Sequence, residues 1–302
     1  MRLLLFAAFL FLQPIISVQT VLVAVPVTVT DAHGQPVIGL SQENFRVYED
    51  GRLRPIELFR HGDAAVTLGL IVDRSQSMRS KSAALLLAVS ALLQSSRPDD
   101  ELFAVEVNDR AALLARPGGQ LFTNDAKALT TALVESPAAG RTALYDGVAE
   151  GLRHLELGHA GKHALIVVSD GGDNASRETY AGIRTLARQS NTVIYAIGLL
   201  GTPPAGEDED AGLLKRLCRD TGGVAFFPRT TDEIGAMATE IGRDLREQYT
   251  LGFTPGDRVG GPAFRKIEVK VTAPGRGRLT VRTRSGYFVP GGTDRDQNGK
   301  RP

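Results

Sequence analysis

The chain has 302 residues, of which 42% are hydrophobic and 23% charged, and these proportions are typical of a globular protein. Its formal net charge is +1, and it has no Trp and 6% aromatic residues, which excludes a strongly basic nucleic-acid surface and an aromatic platform for single strands. A single cysteine, Cys218, excludes an internal disulfide and a thiolate metal cluster.

Residues 1–20 have the layout of a secretory signal peptide. A positive start at Met1-Arg2 precedes an unbroken apolar run at residues 3–12, which Pro14 ends. The run is too short for a comfortable membrane helix, although an uncleaved N-terminal anchor is the alternative. No later stretch approaches ~20 apolar residues, so we expect an exported protein, periplasmic or secreted, whose mature chain does not span a membrane.

The two outer segments of the mature chain predict β-strands. Valines occupy alternate positions at the start of residues 21–63, and short alternating runs separated by Gly/Pro turns recur in residues 249–290. Each segment is short for an independent domain, so we expect the two to pair into one small sandwich-like all-β domain. Two separate β extensions are the alternative. Residues 291–302 are predicted to be a disordered polar tail.

Residues 64–248 alternate between predicted strands and helices. Nearly continuous apolar runs at 66–72, 164–168 and 192–197 indicate parallel strands that are covered on both faces. Shorter strands are predicted at 103–107 and 224–227. Helices are predicted near 80–95, 124–135, 143–156, 178–189, 210–220 and 231–247, and the first is apolar enough to predict a buried helix. The alternation predicts a doubly wound, Rossmann-like α/β domain with a mostly parallel sheet and helices on both faces.

Two of these strands end at carboxylates. Asp73 follows the run at 66–72, and Asp170 follows the run at 164–168. Ligands of a doubly wound sheet bind beyond the carboxyl ends of its strands, so we expect Asp73 and Asp170 to lie near each other at that edge. Two close carboxylates repel each other, and a divalent cation would supply the counter-charge.

Ser75 and Ser77 follow Asp73 at alternate positions, so an extended loop can point both hydroxyls in one direction. The donors of the predicted site are then all oxygen, which favours Mg²⁺, with Mn²⁺ or Ca²⁺ as alternatives. No His or Cys lies nearby in the sequence, which disfavours zinc and copper.

The sequence around these residues resembles the metal-ion-dependent adhesion site of the von Willebrand factor A (VWA) family. Its three loops match Asp73-x-Ser75-x-Ser77, residues 140–147 at the start of a predicted helix, and residues 168–171 at the end of a predicted strand. The loops occur in the family's order. The flanking segments resemble a bacterial subfamily of exported VWA-related proteins, so the resemblance covers nearly the whole mature chain.

The resemblance implies a role for each site residue. Ser75, Ser77 and Thr142 would contact the metal directly through their hydroxyls, whereas Asp73 and Asp170 would hold it largely through water. An acidic side chain of a partner protein would then complete the shell of the ion, which gives adhesion rather than turnover.

One residue of the second loop departs from the family's pattern. Arg141 stands where the family more commonly has Gly before the threonine. Its positive charge near the site would favour an acidic partner.

Other polar residues near these loops have simpler interpretations. A serine of the first loop can cap the following helix, and Asp173-Asn174 are expected to form an Asx turn rather than to add ligands. The run at 206–210 is expected to be a solvated acidic loop rather than a second cation site. Three histidines without metal-ligand spacing are expected at the surface: His154, His159 and His163.

The sequence thus predicts an exported, divalent-cation-dependent protein-binding module of the adhesion type, and not an enzyme. A metal-dependent phosphohydrolase that uses Asp73 as a nucleophile is one alternative, but no general base and no Gly-rich phosphate loop with Lys is evident. A structural envelope protein with a vestigial metal site is the other.

Overall fold

The computed structural model describes residues 22–62, 64–114, 119–201, 209–256 and 263–289. The predicted signal peptide and the predicted C-terminal tail lie outside these residues. In the part of the chain that is described, no helix has both the length and the apolar character needed to cross a membrane.

The N-terminal segment forms short strands that precede the α/β domain. They are β1 (Val23–Thr30), β2 (Phe45–Glu49), β3 (Arg52–Arg54) and β4 (Leu58–His61). The alternate valines of β1 are all buried, as their period-two spacing predicts. The sequence did not predict β3 and β4, because each is short and carries charged residues.

The central segment forms a six-stranded sheet with helices on both faces. Its strands are β5 (Val66–Asp73), β6 (Glu101–Val107), β7 (Ala111–Leu113), β8 (Lys162–Ser169), β9 (Val193–Gly198) and β10 (Ala225–Phe226). Its helices are α1 (Ser82–Gln94), α2 (Ala126–Glu135), α3 (Leu144–Leu155), α4 (Tyr180–Gln189), α5 (Ala211–Thr221) and α6 (Thr231–Glu247). The strand order is β10-β9-β8-β5-β6-β7, and β7 runs antiparallel at one edge. The predicted doubly wound, mostly parallel fold is therefore confirmed.

Strand β5 lies at the centre of this sheet and every one of its residues is buried. Leu70 and Val72 belong to the core beneath α1, α2 and α6, whereas Ile71 belongs to the core beneath α3, α4 and α5. The apolar run of β5 is continuous because both faces of the sheet are covered.

Helix α1 is less buried than its sequence predicts. The helix packs against α6 and α2 through one side, but Leu87 on the other side is 43% exposed. The prediction of a buried helix is wrong for that side, because α1 lies in the outer layer of the domain. Cys218 on α5 is buried, and burial raises the pKa of its thiol, which makes the thiol unreactive.

The C-terminal segment returns to the strands of the N-terminal segment. It forms β11 (Tyr249–Phe253), β12 (Phe264–Val271), β13 (Thr280–Thr283) and β14 (Gly286–Phe288). Two antiparallel four-stranded sheets result, ordered β13-β1-β11-β4 and β14-β12-β2-β3, with one shared core. The two outer segments therefore form a single all-β unit, as predicted, and two separate extensions are not observed.

Candidate metal centre

The carboxyl ends of β5 and β8 lie side by side at the edge where the predicted site residues meet. Strand order reverses at β5, because β6 pairs with it on one side and β8 on the other. Asp73 is fully buried there: the Ser169 hydroxyl donates to its Oδ2 atom at 2.6 Å, and the Ser75 N–H donates to Oδ1 at 2.9 Å. Burial raises the pKa of Asp73, and the nearby Asp170 carboxylate adds to the rise. A cation at this position would stabilise the charged form of Asp73 and so offset both the burial and the repulsion from Asp170.

Ser75, Ser77 and Asp170 form the side of the site that faces outward. The two serine hydroxyl oxygens are 3.1 Å apart, and Ser77 Oγ donates to Asp170 Oδ2 at 2.8 Å. Ser75 and Asp170 are buried, whereas Ser77 is exposed. The cluster therefore opens to the solvent at Ser77.

The capping interpretation of the first loop accounts for the Ser75 backbone but not for its side chain. Ser75 occupies the N-cap position of a short 3-10 helix, Gln76–Lys81, and its carbonyl accepts the Met78 N–H at 3.1 Å. Its hydroxyl makes no capping bond and faces Ser77 instead. That hydroxyl also interacts with the Asp73 carboxylate, so it belongs to the polar cluster of the site rather than to a helix cap.

The second loop is held against the other two by its backbone. The Gly140 carbonyl accepts the Gln76 N–H at 3.0 Å. Thr142 donates its N–H to Asn174 Oδ1 at 2.9 Å, and its carbonyl accepts the Asn174 N–H at 2.9 Å. Thr142 is buried by these contacts, so the three loops that contain the predicted site residues meet at one place.

Asp109 supports the second loop, and the sequence analysis missed it. Its Oδ1 atom accepts the Arg141 N–H at 2.9 Å. Gly140 has φ +81°, a left-handed backbone angle that favours glycine, and a Cβ atom there would lie 2.6 Å from Asp109 Oδ2 and displace this carboxylate. The signal was present, because Asp109 also follows a strand of the parallel sheet, β6.

Asp173 and Asn174 connect loops rather than form an isolated Asx turn. Asp173 Oδ1 accepts the Tyr145 N–H at 3.1 Å at the start of α3, and it also accepts the Ser176 hydroxyl. Asn174 makes the contacts with Thr142 given above. Their side chains position the second loop through these hydrogen bonds.

The expectation of a solvated acidic loop at 206–210 is wrong for Glu209, whereas Asp210 has a 46% exposed side chain, as expected. Glu209 has an 8% exposed side chain and accepts the Lys81 ammonium at 2.8 Å, and the same ammonium lies 3.1 Å from Asp170 Oδ2. Asp210 caps α5, because its Oδ1 atom accepts the Leu213 N–H at 2.7 Å. Residues 206–208 lie outside the described part of the chain. Lys81 and Glu209 are far apart in sequence, so no local pattern could have predicted their contact.

The histidines differ from one another in their surroundings. His154 is buried between Phe103 and Phe122, with Nε2 2.8 Å from the Leu121 carbonyl oxygen, so its predicted surface placement is wrong. It fills the space between α3 and the edge of the sheet. His159 is exposed, as expected.

The spacing of three oxygen atoms in the cluster is compatible with a coordinated cation, and it is equally that of hydrogen bonds between them. Neighbouring ligands of an ion with bonds of about 2.1 Å lie about 3.0 Å apart, which matches the 3.1 Å and 2.8 Å separations of the Ser75, Ser77 and Asp170 oxygens. Among the described residues there is no metal-binding group of three or more His, Cys, Asp or Glu. Such a group is not required here, because serine hydroxyls supply part of the donor set.

Comparisons with known proteins identify the fold. No protein-family model matches the chain, and no curated protein matches it. Among solved structures, it is similar to the von Willebrand factor type A protein from Catenulispora acidiphila, with a TM-score of 0.52 and 14% identity over 82% of this chain and 74% of that one. It is also similar to proximal thread matrix protein 1 from the mussel byssus, whose structure has zinc in its metal-ion-dependent adhesion site (MIDAS) motif. The TM-score is 0.50 and the identity is 14%.

The second likeness covers 67% of this chain and 50% of the mussel chain, so this chain spans about half the length of that protein. At these identities the two likenesses show a fold rather than an activity. The chain has a von Willebrand factor A-like fold.

Proposed function

We propose that this chain is an exported protein-binding module that takes a divalent cation between its three loops and uses it to grip an acidic side chain of a partner. The proposed metal residues are Asp73, Ser75, Ser77, Thr142 and Asp170. The observation that carries the proposal is the meeting of the Ser75 and Ser77 hydroxyls with the Asp170 carboxylate on a rim open to solvent.

The role that we propose for each site residue depends on how deeply that residue is buried. Asp73 lies deepest and its two carboxylate oxygens already accept hydrogen bonds, so it would hold the ion through water or through Ser75. The serine and threonine hydroxyls would be the direct protein ligands. Because these ligands are neutral, the ion would keep most of its charge and attract a carboxylate from the partner.

The proposed cation is Mg²⁺, with Mn²⁺ and Ca²⁺ as alternatives, since all the donors are hard oxygen atoms. The mussel byssus protein supports a divalent metal in a site of this kind, because its structure has zinc in a MIDAS motif. Zn²⁺ therefore belongs in any series of ions that is tested on this chain.

The surroundings of Asp73 disfavour the phosphohydrolase alternative. A nucleophilic carboxylate must present a free oxygen to the substrate, but Asp73 is fully buried and both of its oxygens are hydrogen-bonded. Reaction at Asp73 would require the breaking of its bond with either Ser169 or the Ser75 backbone. Binding requires no such change.

The test combines metal binding with partner capture. We expect Mg²⁺ or Mn²⁺ to raise the melting temperature of the purified chain, because an ion that binds the folded state stabilises it. We also expect the immobilised chain to capture a protein from an envelope fraction of its source organism, and EDTA to release that protein. The double substitution Ser75→Ala/Ser77→Ala should abolish both effects.

Ser80→Ala is the matched control, because Ser80 is exposed in the same 3-10 helix, Gln76–Lys81. It should leave ion binding and capture unchanged. Capture that persists in EDTA, or in the double variant, would contradict the proposal. Turnover of a phosphoester that Asp73→Asn removes would instead support the hydrolase, and a melting temperature that no divalent ion changes would support a vestigial site.

A further inference from the structure

We infer that Lys81 competes with the divalent cation: its ammonium pairs with Asp170 at the side of the site where the ion would bind, and the ion must displace it toward Glu209. The inference rests on the proposed function, because it concerns the same site. Lys81 would lower the affinity of the site for the divalent ion, and Glu209 would remain the partner of the displaced ammonium.

The contacts of Lys81 place a positive charge beside the proposed ion. Its ammonium lies 3.1 Å from Asp170 Oδ2 and 2.8 Å from Glu209 Oε1, and its side chain is 15% exposed. Ser77 Oγ donates to the same Asp170 oxygen at 2.8 Å. The ammonium and the Ser77 hydroxyl therefore share one carboxylate oxygen, Oδ2 of Asp170.

A divalent ion and the Lys81 ammonium cannot both interact with Asp170 Oδ2 without a loss of binding free energy. An ion bound at Ser75 and Ser77, directly or through water at Asp170, would lie a few ångströms from the Lys81 nitrogen. Two like charges at that separation, in a largely buried setting, repel each other more strongly than they would in water. Each cation must therefore weaken the binding of the other.

Glu209 gives the displaced ammonium a second partner. Both of its carboxylate oxygens also accept the Gly201 N–H, at 2.9 and 3.0 Å, which fixes Glu209 to the loop after β9. Lys81 can move away from Asp170 and keep its ion pair with Glu209, so displacement leaves no buried charge without a partner. Without the metal, the same lysine balances a carboxylate that would otherwise face Asp73 uncompensated.

The test measures the affinity for Mn²⁺ by titration calorimetry in the wild-type chain and in Lys81→Met, which keeps the length of the side chain but removes its charge. We expect Lys81→Met to bind Mn²⁺ at least about fivefold more tightly, the lower end of typical coupling between two sites. Lys266→Met is the matched control, because Lys266 is exposed on β12 in the all-β unit. It removes the same charge and should leave the affinity unchanged.

A second measurement uses the wild-type chain and does not depend on how the variant folds. Mild acetylation followed by mass spectrometry reports how freely each lysine amine reacts. We expect Lys81 to react faster when Mg²⁺ is added, while Lys266 reacts at a constant rate. A Lys81 rate that Mg²⁺ leaves unchanged or lowers would overturn the inference.

The outcomes separate the inference from the proposed function. Equal Mn²⁺ affinities in the wild-type chain and in Lys81→Met would overturn the inference and leave the proposed function intact. Binding that occurs only in Lys81→Met would support the inference strongly. Absence of Mn²⁺ and Mg²⁺ binding in both proteins would overturn the proposed function, and the inference with it.

Discussion

The Ser169 hydroxyl donates a 2.6 Å hydrogen bond to Oδ2 of the fully buried Asp73, which joins the last residue of β8 to the last residue of β5. Ser169 Oγ also accepts the Gly171 N–H at 3.0 Å, so one hydroxyl fixes both the deepest carboxylate of the site and the loop that contains Asp170. The two acidic residues of the proposed metal centre are thus positioned by a serine that need not touch the ion.

We expect Ser169→Ala to lower the free energy of unfolding by about 1–3 kcal/mol, since it leaves a buried carboxylate oxygen without its donor. The same substitution should weaken Mn²⁺ binding, because Asp73 and the loop that contains Asp170 each lose a hydrogen bond that positions them. Urea unfolding and calorimetry would measure the two effects, with Ser80→Ala as the control. If Ser169→Ala has wild-type stability, water or another donor replaces the hydroxyl.

The all-β unit contains a buried ion pair that should make its stability sensitive to acid. Glu49 accepts hydrogen bonds from Tyr287, Arg265 and Arg54 and from the Gly256 N–H, and its side chain is 2% exposed. Burial alone would raise the pKa of Glu49, but the hydrogen bonds outweigh it and lower the pKa to about 2.

Because the folded pKa is below the unfolded value of 4.5, Glu49 stabilises the folded state fully above pH 4.5 and loses this contribution as the pH falls toward 2. The contribution is about 3 kcal/mol at neutral pH by this linkage. We expect the difference in unfolding free energy between the wild-type chain and Glu49→Gln to shrink between pH 5 and about pH 2. Urea titrations across this range would show it, and a pH-independent difference would contradict the assignment.

Helix α3 approaches the sheet closely through glycine, and this contact places the second loop. A Cβ atom on Gly147 would overlap a methyl group of Val107 and lie 3.2 Å from Ile71 Cγ2. We expect Gly147→Ala to destabilise the chain by about 1–3 kcal/mol through overpacking. It should also weaken ion binding, since Thr142 lies just before the start of α3.

Gly235→Ala is the matched control for this prediction, because a Cβ atom at that position of α6 meets nothing within 4 Å. There the same substitution should stabilise the chain by roughly 0.5–1 kcal/mol, since alanine favours the helix. Equal effects at Gly147 and Gly235 would show that α3 can move away from the sheet without cost. Urea unfolding of the two variants would measure both changes in the free energy of unfolding.

The fold could be predicted from the sequence wherever the apolar pattern was long. The runs that became β5, β8 and β9 are continuous because both faces of the sheet are covered, and α3 and α4 show a clear helical period, whereas α1 is apolar on nearly every side. The sequence did not predict β3, β4, β7 and β14, which have three or four residues each. Strands of that length exist because a neighbouring strand pairs with them, and no pattern within the strand itself indicates that.

The residues of the candidate site also differ in whether the sequence could identify them. Asp73 and Asp170 could be selected because each follows a buried strand, and Ser75 and Ser77 because of their spacing from Asp73. Lys81 was not predicted, because its contact with Glu209 joins two loops that only the folded sheet brings together. Ser169 could have been found, since the parallel register of Val72 with Val168 places the following residues beside each other.

Lys162 stabilises the end of α6, immediately before the chain enters β11. Its ammonium donates to the carbonyl oxygens of Leu245 at 2.7 Å, Arg246 at 3.0 Å and Gly62 at 3.0 Å, and its side chain is buried. The last carbonyls of a helix have no partner within the helix, and a positive charge there also interacts favourably with the helix dipole.

We expect Lys162→Met to lower the free energy of unfolding by about 2–3 kcal/mol, because it leaves buried carbonyls without their charged donor. Hydrogen exchange of the backbone amides at residues 245–250 should also accelerate, since these residues join α6 to β11. Lys127→Met is the control, because Lys127 is exposed on α2 and its loss should change neither quantity. Wild-type exchange at the junction in Lys162→Met would show that β11, through its pairing with β1 and β4, holds the end of α6 without the lysine.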